Sequence, residues 1–510
     1  MASIQSASMQ LDELVRAAGV AAEVRGDGGA DVDSLAYDSR AAGTGTLFFC
    51  VRGLTSDGHD FAAKAVDAGA SALVVERPLE LGVAEVQVAD ARAAMAPFAA
   101  AFHGDPTAEL QVVGVTGTNG KTTTAFLARQ LLEAAGRHTG LLGTVQSVVG
   151  GEMAEVERTT PEAIDLQAIF ARMLQAGDRV CVMEVSSHAL VLNRADAIHF
   201  DAKAFTNLTQ DHLDFHEDMD DYFEAKRLLF TAEGGSASLV LQGGVSVVNV
   251  DDEYGRRLAR DLRDAEHEEA LVTFSSEGAE ADLSASEVSF DAAGSSFRLA
   301  GPDGLEVDVR TPLPGDFNVS NALAALGIAH ALGLDVERAA ASLASVEQVP
   351  GRFEPIDEGQ PFGVLVDYAH TPDSVENALA AARKLTAGEL ISVLGCGGDR
   401  DRDKRPLMGR ASAELADLAV ITSDNPRSEG PSTIVEEIVA GIEDRSNVVV
   451  EVDRRAAIAL ALGRAAEGDV VVIAGKGHEQ GQEFENGRKI PFDDREVARE
   501  ELRRLAGGPT

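Results

Sequence analysis

The 510-residue sequence has no tryptophan, four tyrosines and three cysteines, and aromatic residues make up only 5% of it. Cys50, Cys181 and Cys396 lie far apart with no C-x-x-C spacing, so neither a disulfide framework nor a zinc knuckle is suggested. Long apolar runs are also missing. None approaches the about 20 residues needed to cross a bilayer, and residues 1–10 show no basic stretch leading into an apolar one. These absences point to the cytoplasm and away from a membrane partner. Positive charge is the scarcest resource: 44 Lys and Arg against 84 Asp and Glu leave −40 at pH 7. Such a surface repels phosphate backbones and excludes nucleic acid as a partner. Only eight of the basic residues are lysines. A GC-rich coding bias explains that ratio but not the net charge, which fits a surface adapted to high salt.

What is present is an ordinary globular mixture, 45% hydrophobic and 25% charged, enough for several cores. At about 100–200 residues per domain the length predicts three domains. Residues 1–108 hold short strand-like runs (Thr46–Val51, Ala72–Val75), a helical stretch Phe61–Ala68 and a closing turn at Gly104–Pro106. Residues 109–349 open on a buried strand, Leu110–Val115, followed by a glycine-rich turn and a helix, Lys121–Ala135. Further runs, Val180–Val185 and Ala202–Thr206, alternate with helical stretches as in a parallel sheet. From Leu271 to Thr311 the pattern predicts antiparallel strands, then helices near Asn318–Leu332 and Val336–Ser345 and a hinge at Val349–Gly351. Residues 350–510 alternate strand and helix: Gly363–Asp367, Ser374–Leu385, Leu390–Leu394, Arg405–Leu415, Ala419–Thr422, Val448–Val452 and Val470–Ile473. That is a doubly wound α/β pattern.

The strongest local feature is Val113-Gly-Val-Thr-Gly-Thr-Asn-Gly-Lys-Thr-Thr-Thr124. Glycines let backbone N–H groups curl around an anion, and the following helix N-terminus adds partial positive charge. Lys121 reaches toward the β- and γ-phosphates and the Thr122 hydroxyl completes a magnesium shell. The spacing G-x-x-x-x-G-K-S/T is not met, since Val115 holds the first glycine position. Strand, turn, Lys-Thr and helix nevertheless come in the order a nucleotide needs.

The loop Thr116-Gly-Thr-Asn-Gly-Lys-Thr122 resembles that of the Mur ligase family, whose members add amino acids to the peptidoglycan precursor. Agreeing pieces run through nearly the whole chain: Asp38-Ser39-Arg40, Met183-Glu-Val-Ser-Ser-His188, Asn207-Leu-Thr-Gln-Asp-His-Leu-Asp214, Asp367-Tyr-Ala-His-Thr-Pro-Asp373, Gly395-Cys-Gly-Gly-Asp-Arg400, Asp424-Asn-Pro-Arg427 and Gly475-Lys-Gly-His-Glu479. The resemblance is to the type that adds the third residue. It implies an α/β protein of three-domain Mur ligase architecture: an N-terminal UDP-sugar-binding domain, a central P-loop ATPase domain and a C-terminal Rossmann-like amino-acid-binding domain.

ATP-driven amide synthesis needs a carboxylate to attack the γ-phosphate, then an amine to displace phosphate from the acyl phosphate. Catalysis is mostly positioning and charge neutralisation. The resemblance implies ATP and Mg2+ as cofactors. It places Glu184, His212 and Thr122 at metal sites, and Lys226 as a carbamate that helps to bind a second magnesium. Lys121, Lys226, His212 and Glu184 form the expected catalytic set. Gly117, Thr118, Asn119, Gly120, Lys121, Thr122 and Thr123 are the expected ATP contacts, with Asn321, Arg352 and Asp367 either nucleotide-side or structural. Ser39 and Leu54-Thr55-Ser56 match uridine contacts, while Thr159, Thr160, Ser186 and Arg194 match contacts to the sugar-dipeptide. Leu192 cannot hydrogen-bond where some relatives carry a polar residue, and Arg158 stands where some carry Asn.

Asp424-Asn425-Pro426-Arg427 bears most on specificity. Meso-diaminopimelate is lysine with one more carboxylate, so a selective pocket needs a fixed cation, and a guanidinium fork pairs bidentately with a carboxylate. Arg427 matches that cation, and Arg400, Gly475 and Glu479 match the rest of the family's diaminopimelate pocket. The expected function is ATP-dependent addition of meso-diaminopimelate to UDP-MurNAc-L-Ala-D-Glu by a monomer. The alternatives are L-lysine as the added residue, or another Mur or folylpolyglutamate-type amide ligase. A regulatory GTPase is disfavoured, because such proteins carry Asn-Lys-x-Asp and no Asn-Lys occurs here.

Overall fold

The computed structural model describes residues 8–53, 56–154, 156, 158–231, 243–264 and 270–506. The chain divides into two compact units: Met1–Thr116 with Gly136–Lys203 and Ala225–Val245, and Gly117–Ala135 with Ala204–Glu224 and Ser246–Thr510.

The first unit holds two sheets of functional interest. One orders its strands Glu23–Arg25, Ala84–Gln87, Ala72–Val75, Thr46–Phe49 and Ser34–Ala36, parallel except for the first pair. Its central strands are buried on both faces, as a parallel sheet covered by helices requires. Leu47, Phe49, Val74 and Phe98 pack on one face, and Phe48, Leu73 and Val75 on the other. The helix Ala91–Phe102 starts where the Asp90 carboxylate accepts the N–H groups of Arg92 and Ala93. In the second sheet Val180–Glu184 lies parallel between Gln111–Thr116 and Thr139–Leu142. Its residues, Val-Cys-Val-Met-Glu, are all buried, so Glu184 ends an apolar strand at its carboxyl edge.

In the second unit the phosphate-loop helix Lys121–Ala134 packs on the apolar helix Asp316–Ala331. The strands Leu283–Asp291, Gly294–Ala300 and Glu306–Thr311 are antiparallel, as expected. Ala270–Ser275 departs from the expectation: it pairs with Leu283–Asp291 in parallel, through Phe274 opposite Leu283. Glycine and aspartate turns mark where strands end but not which way they run. Here Asp251 gathers the chain after the strand through Ser275 Oγ and the Ser276 N–H, redirecting it.

The C-terminal sheet orders its strands Glu354–Pro355, Gly363–Asp367, Val470–Ala474, Leu390–Leu394, Leu418–Ile421 and Val448–Val450, parallel except at the first pair. The seven expected elements are present with ends moved by one or two residues. Helices Pro431–Ala440, Arg454–Arg464 and Asp494–Ala506 and the hairpin Gly481–Phe484/Arg488–Pro491 are additions. Gly351, in the expected hinge, has φ +63° and lies so close to His478 that a Cβ would come within 2.1 Å of its amide nitrogen.

Candidate functional site

The candidate residues cluster at the carboxyl ends of parallel strands, where open α/β sheets bind ligands. In the first unit Glu184, only 1% exposed, accepts the Thr144 N–H at 2.8 Å and the Thr144 hydroxyl at 3.0 Å. A Cβ at Gly143 would stand 2.4 Å from Glu184 Oε1, so a side chain there would displace the carboxylate. Thr144 Oγ1 lies 3.1 Å from Thr159 Oγ1, and the Thr160 hydroxyl donates to the Glu184 carbonyl at 2.9 Å while accepting the Ser186 N–H. Arg194 donates to the Thr160 carbonyl and pairs with Glu162 at 3.0 Å. Thr159, Thr160, Glu184, Ser186 and Arg194 are thus brought together. Glu162, which no motif flagged, also pairs with Arg92 and Arg158. Arg158 therefore shares its ionic partner with Arg92 and Arg194. Lys226, on the helix Met219–Arg227, is 1% exposed.

At the N-terminal sheet Ser39 is half-buried beside the Asp38–Arg40 ion pair, whose guanidinium holds the Asp38 carboxyl down at about 2. The Ser56 carbonyl accepts the Gly53 N–H at 2.8 Å; Leu54 and Thr55 lie outside the described residues. The next residue, Asp57, accepts from the backbone N–H and Nδ1 of buried His59 and pairs with Arg77.

In the second unit the phosphate loop is held by close contacts that only glycine allows. A Cβ on Gly117 (φ +143°) would lie 1.9 Å from Thr206 Oγ1, and one on Gly120 (φ +84°) 2.3 Å from Asn321 Oδ1. Asn207 accepts the N–H groups of Thr118, at 2.9 Å, and Asn119, at 2.8 Å. Lys121 Nζ donates to the carbonyls of Gly117 and Thr118 at 3.0 and 2.8 Å, so its charge lies at the loop mouth. Arg352 donates to Thr122 Oγ1 at 3.0 Å and stacks on the Tyr368 ring. Asp367 accepts the Phe353 N–H at 2.6 Å, and burial pushes its carboxyl up despite the nearby Arg352 guanidinium. Asn321 and Arg352 therefore reach the loop itself. Thr123 is buried in the helix.

His212 takes a left-handed φ of +57° and pairs with Asp211 at 3.3 Å. Asp211 precedes it in the Asn207–Asp214 motif. Burial raises its carboxyl, yet His212, Lys404, His370 and Lys121 together hold it well below the usual range. His370 is pushed down to about 4 by burial and by the Lys404 charge. Asp373 accepts from Asn119 Nδ2 at 2.7 Å. It closed a quoted motif and could have been found there.

The third cluster follows three neighbouring C-terminal strands. Asp424 and Asn425 are buried, and Gly475 (φ +118°) leaves room for Asp424, whose Oδ2 would be 2.7 Å from a Cβ. Arg427 sits at φ +50°, with Nη1 donating to the Gly398 carbonyl at 2.7 Å and Nε to Glu483 at 3.3 Å. Gly398 packs under Pro426, whose carbonyl oxygen would lie 1.9 Å from a Cβ. Lys476 joins Asp424, Asn425 and Glu479. Beneath them Arg454 and Asp494 form a fully buried pair, and Arg454 also donates to the carbonyls of Ser423 and Ala474. Arg400 is exposed at the end of the Gly397–Arg400 loop, which Arg405 anchors through the Gly397 carbonyl and Glu429.

These groups suit a polyphosphate with its metal. A glycine cradle that a Cβ would fill surrounds the loop mouth, and within the second unit Thr122 and His212 are of the oxygen and imidazole donor types that magnesium accepts. Thr122 and His212 belong to the second unit, Glu184 and Lys226 to the first. Among the described residues no group of three or more His, Cys, Asp or Glu converges as a metal cluster. No described helix is long and apolar enough to cross a membrane.

Comparison with known proteins adds three matching family models: the Mur ligase family catalytic domain over residues 31–103, the Mur ligase middle domain over 115–329, and the Mur ligase glutamate ligase domain over 351–477. The UDP-N-acetylmuramoyl-L-alanyl-D-glutamate--2,6-diaminopimelate ligase of Streptomyces coelicolor is 47% identical, covering 99% of this chain and 98% of its own. That of Geobacillus kaustophilus is 47% identical over 92% and 95%. A solved structure of such a ligase is similar at TM-score 0.69 and 30% identity, covering 98% of this chain and all of its own. A Thermotoga maritima MurF ligase solved with ADP shares the fold at TM-score 0.61 and 20% identity, covering 92% of this chain and 96% of its own.

Proposed function

Because the chain belongs to the Mur ligase family, we propose that it is the ATP-dependent, ADP-forming ligase that joins meso-diaminopimelate to UDP-MurNAc-L-Ala-D-Glu in peptidoglycan precursor synthesis. The observation that carries this reading is the acceptor end. Arg427 is held in a left-handed turn by Gly398 and Glu483, beside buried Asp424, Asn425 and Lys476 and half-buried Glu479. A guanidinium beside carboxylates complements an amino acid whose far end carries both a carboxylate and an ammonium.

The work divides over residues 1–108 for the UDP-sugar, 109–349 for ATP and 350–510 for the amino acid. Ser39, Leu54, Thr55 and Ser56 take the uridine end, and Thr159, Thr160, Ser186 and Arg194 orient the dipeptide. The reacting carboxylate attacks the γ-phosphate, ADP leaves, and the amine then displaces phosphate from the acyl phosphate. Lys121 and the loop N–H groups neutralise the phosphates as charge shifts toward ADP. Arg352 fixes the Thr122 hydroxyl, and Asn321 and Asp367 support the nucleotide side. Thr122, Glu184 and His212 would serve at magnesium sites and the Lys226 carbamate would help to hold a second ion, and magnesium there would screen the approach of an anionic carboxylate to the polyphosphate. Arg400, Asp424, Asn425, Pro426, Arg427, Gly475 and Glu479 hold the acceptor. The enzyme works as a cytoplasmic monomer, where ATP and the UDP-linked precursor are found.

Phosphate release from ATP tests the reading. It should require UDP-MurNAc-L-Ala-D-Glu and meso-diaminopimelate together. Turnover with L-lysine but not meso-diaminopimelate would overturn the specificity.

A further inference from the structure

Building on that function, we propose that Lys476 is a positioning residue for acceptor recognition: it fixes which oxygen of Glu479, and which face of the Asn425 amide, the incoming ammonium group meets. Lys476 is 0% exposed. Its three N–H bonds have three close acceptors: the Gly481 carbonyl at 2.7 Å, Asn425 Oδ1 at 3.0 Å and Glu479 Oε2 at 3.0 Å, with Asp424 Oδ1 further off at 3.5 Å. No donor is left over for a substrate, so the side chain acts through its neighbours. A buried ammonium without such partners is strongly penalised, so these acceptors hold the side chain in place.

Two consequences follow from the donor count. Asn425 Oδ1 accepts from Lys476 and also from the Glu483 N–H at 3.0 Å, so the amide cannot flip. Its Nδ2 is thereby aimed at Glu479 Oε2, at 2.6 Å. Glu479 Oε2 then serves two donors, while among the described residues Oε1 has only a long contact from the Tyr368 hydroxyl at 3.4 Å. Oε1 is the oxygen with capacity for a further donor. The strand Gly481–Phe484, through the Gly481 carbonyl and Glu483, ties this oxygen and the Arg427 guanidinium to one frame. The far carboxylate of the acceptor meets Arg427 and the far ammonium meets Glu479 Oε1, both at positions set by Lys476.

The test is steady-state kinetics of Lys476→Met beside wild type, with meso-diaminopimelate and with 2-aminopimelate, which lacks the far amine. The Met variant should raise KM for meso-diaminopimelate about tenfold, equivalent to about 1.4 kcal/mol. KM for ATP and for the UDP-substrate should stay within about twofold, and the preference for meso-diaminopimelate over 2-aminopimelate should collapse. An unchanged diaminopimelate KM, or an equal rise in all three constants, would overturn the role of Lys476 while leaving the ligase function standing. A wild type that does not use meso-diaminopimelate overturns both. If Lys476→Met does not fold, lysine-selective 15N NMR of the wild type decides. With only eight lysines, the Lys476 ammonium signal, assigned by its loss in Lys476→Arg, should be protected from water exchange and should shift with meso-diaminopimelate but not with ADP. A signal indifferent to meso-diaminopimelate would refute the proposal.

Discussion

Replacing Arg454 by methionine should destabilise the C-terminal domain by about 3–5 kcal/mol, the range for breaking a buried ion pair from one side. Arg454 and Asp494 are both 0% exposed, with Nε and Nη2 donating to the two carboxylate oxygens at 2.8 and 2.6 Å. Solvent screening is therefore absent, and the loss should lie well above the about 0–1 kcal/mol typical of exposed pairs. Two further bonds go with the guanidinium, to the carbonyls of Ser423 at 3.1 Å and Ala474 at 2.9 Å. Asp494 sits in the first turn of the helix Asp494–Ala506, whose N-terminal dipole returns about 0.3–1 kcal/mol to the stranded carboxylate. The net expectation is about 4 kcal/mol, read by urea unfolding. The double variant Arg454→Met/Asp494→Leu should regain most of that stability, since no buried charge is left unpaired. It should not regain affinity for meso-diaminopimelate, because Ser423 and Ala474 directly precede Asp424 and Gly475. A loss below about 1 kcal/mol in the single variant would refute the stability argument. A stable double variant with wild-type diaminopimelate KM would refute the coupling to the pocket.

Gly117→Ala should weaken ATP binding at least about tenfold by calorimetry, because its Cβ would stand 1.9 Å from Thr206 Oγ1 at a φ of +143°. Lys226→Ala should lose most turnover with its melting temperature little changed, and small carboxylates should restore part of the rate; a near-normal rate would sink the carbamate role. Glu429 is held down at about 2 by the side-chain bond from Arg405. A carboxyl depressed in the fold adds stability above its ordinary 4.5, and that share is lost as pH falls from 4.5 toward 2. Thermal melting of Glu429→Gln should therefore show a shallower decline than wild type across that window, and parallel curves would contradict it.

The elements legible in the sequence were those whose burial is continuous. Val180–Glu184 and Leu390–Leu394 are apolar throughout, and strand-to-helix order around Lys121 located the phosphate loop. Strand direction at Ala270–Ser275 was illegible, because it depends on Asp251 reaching across the chain. The charged residues of the helices Arg454–Arg464 and Asp494–Ala506 resemble solvated surface in the sequence. Two of those charges, Arg454 and Asp494, are fully buried against each other across 40 positions, a pairing without periodicity. The same holds for Lys476 and Asp424, 52 apart. Motif residues such as Arg427 and Gly475 could be named in advance. The side chains that hold them in place were found only by their contacts. Four of the eight lysines fall in or beside motifs; Lys226, Lys404 and Lys476 are buried and Lys121 is half-buried, but Lys203, outside every motif, is buried as well.

The central claim is tested most directly by a competition between acceptors. The protein would be incubated with ATP, Mg2+, UDP-MurNAc-L-Ala-D-Glu and equal amounts of meso-diaminopimelate and L-lysine, and the UDP-linked products read by mass spectrometry. A product carrying diaminopimelate, formed with one ADP per bond, is predicted. A lysine-bearing product in its place, or ADP formed with no new amide, would contradict the account.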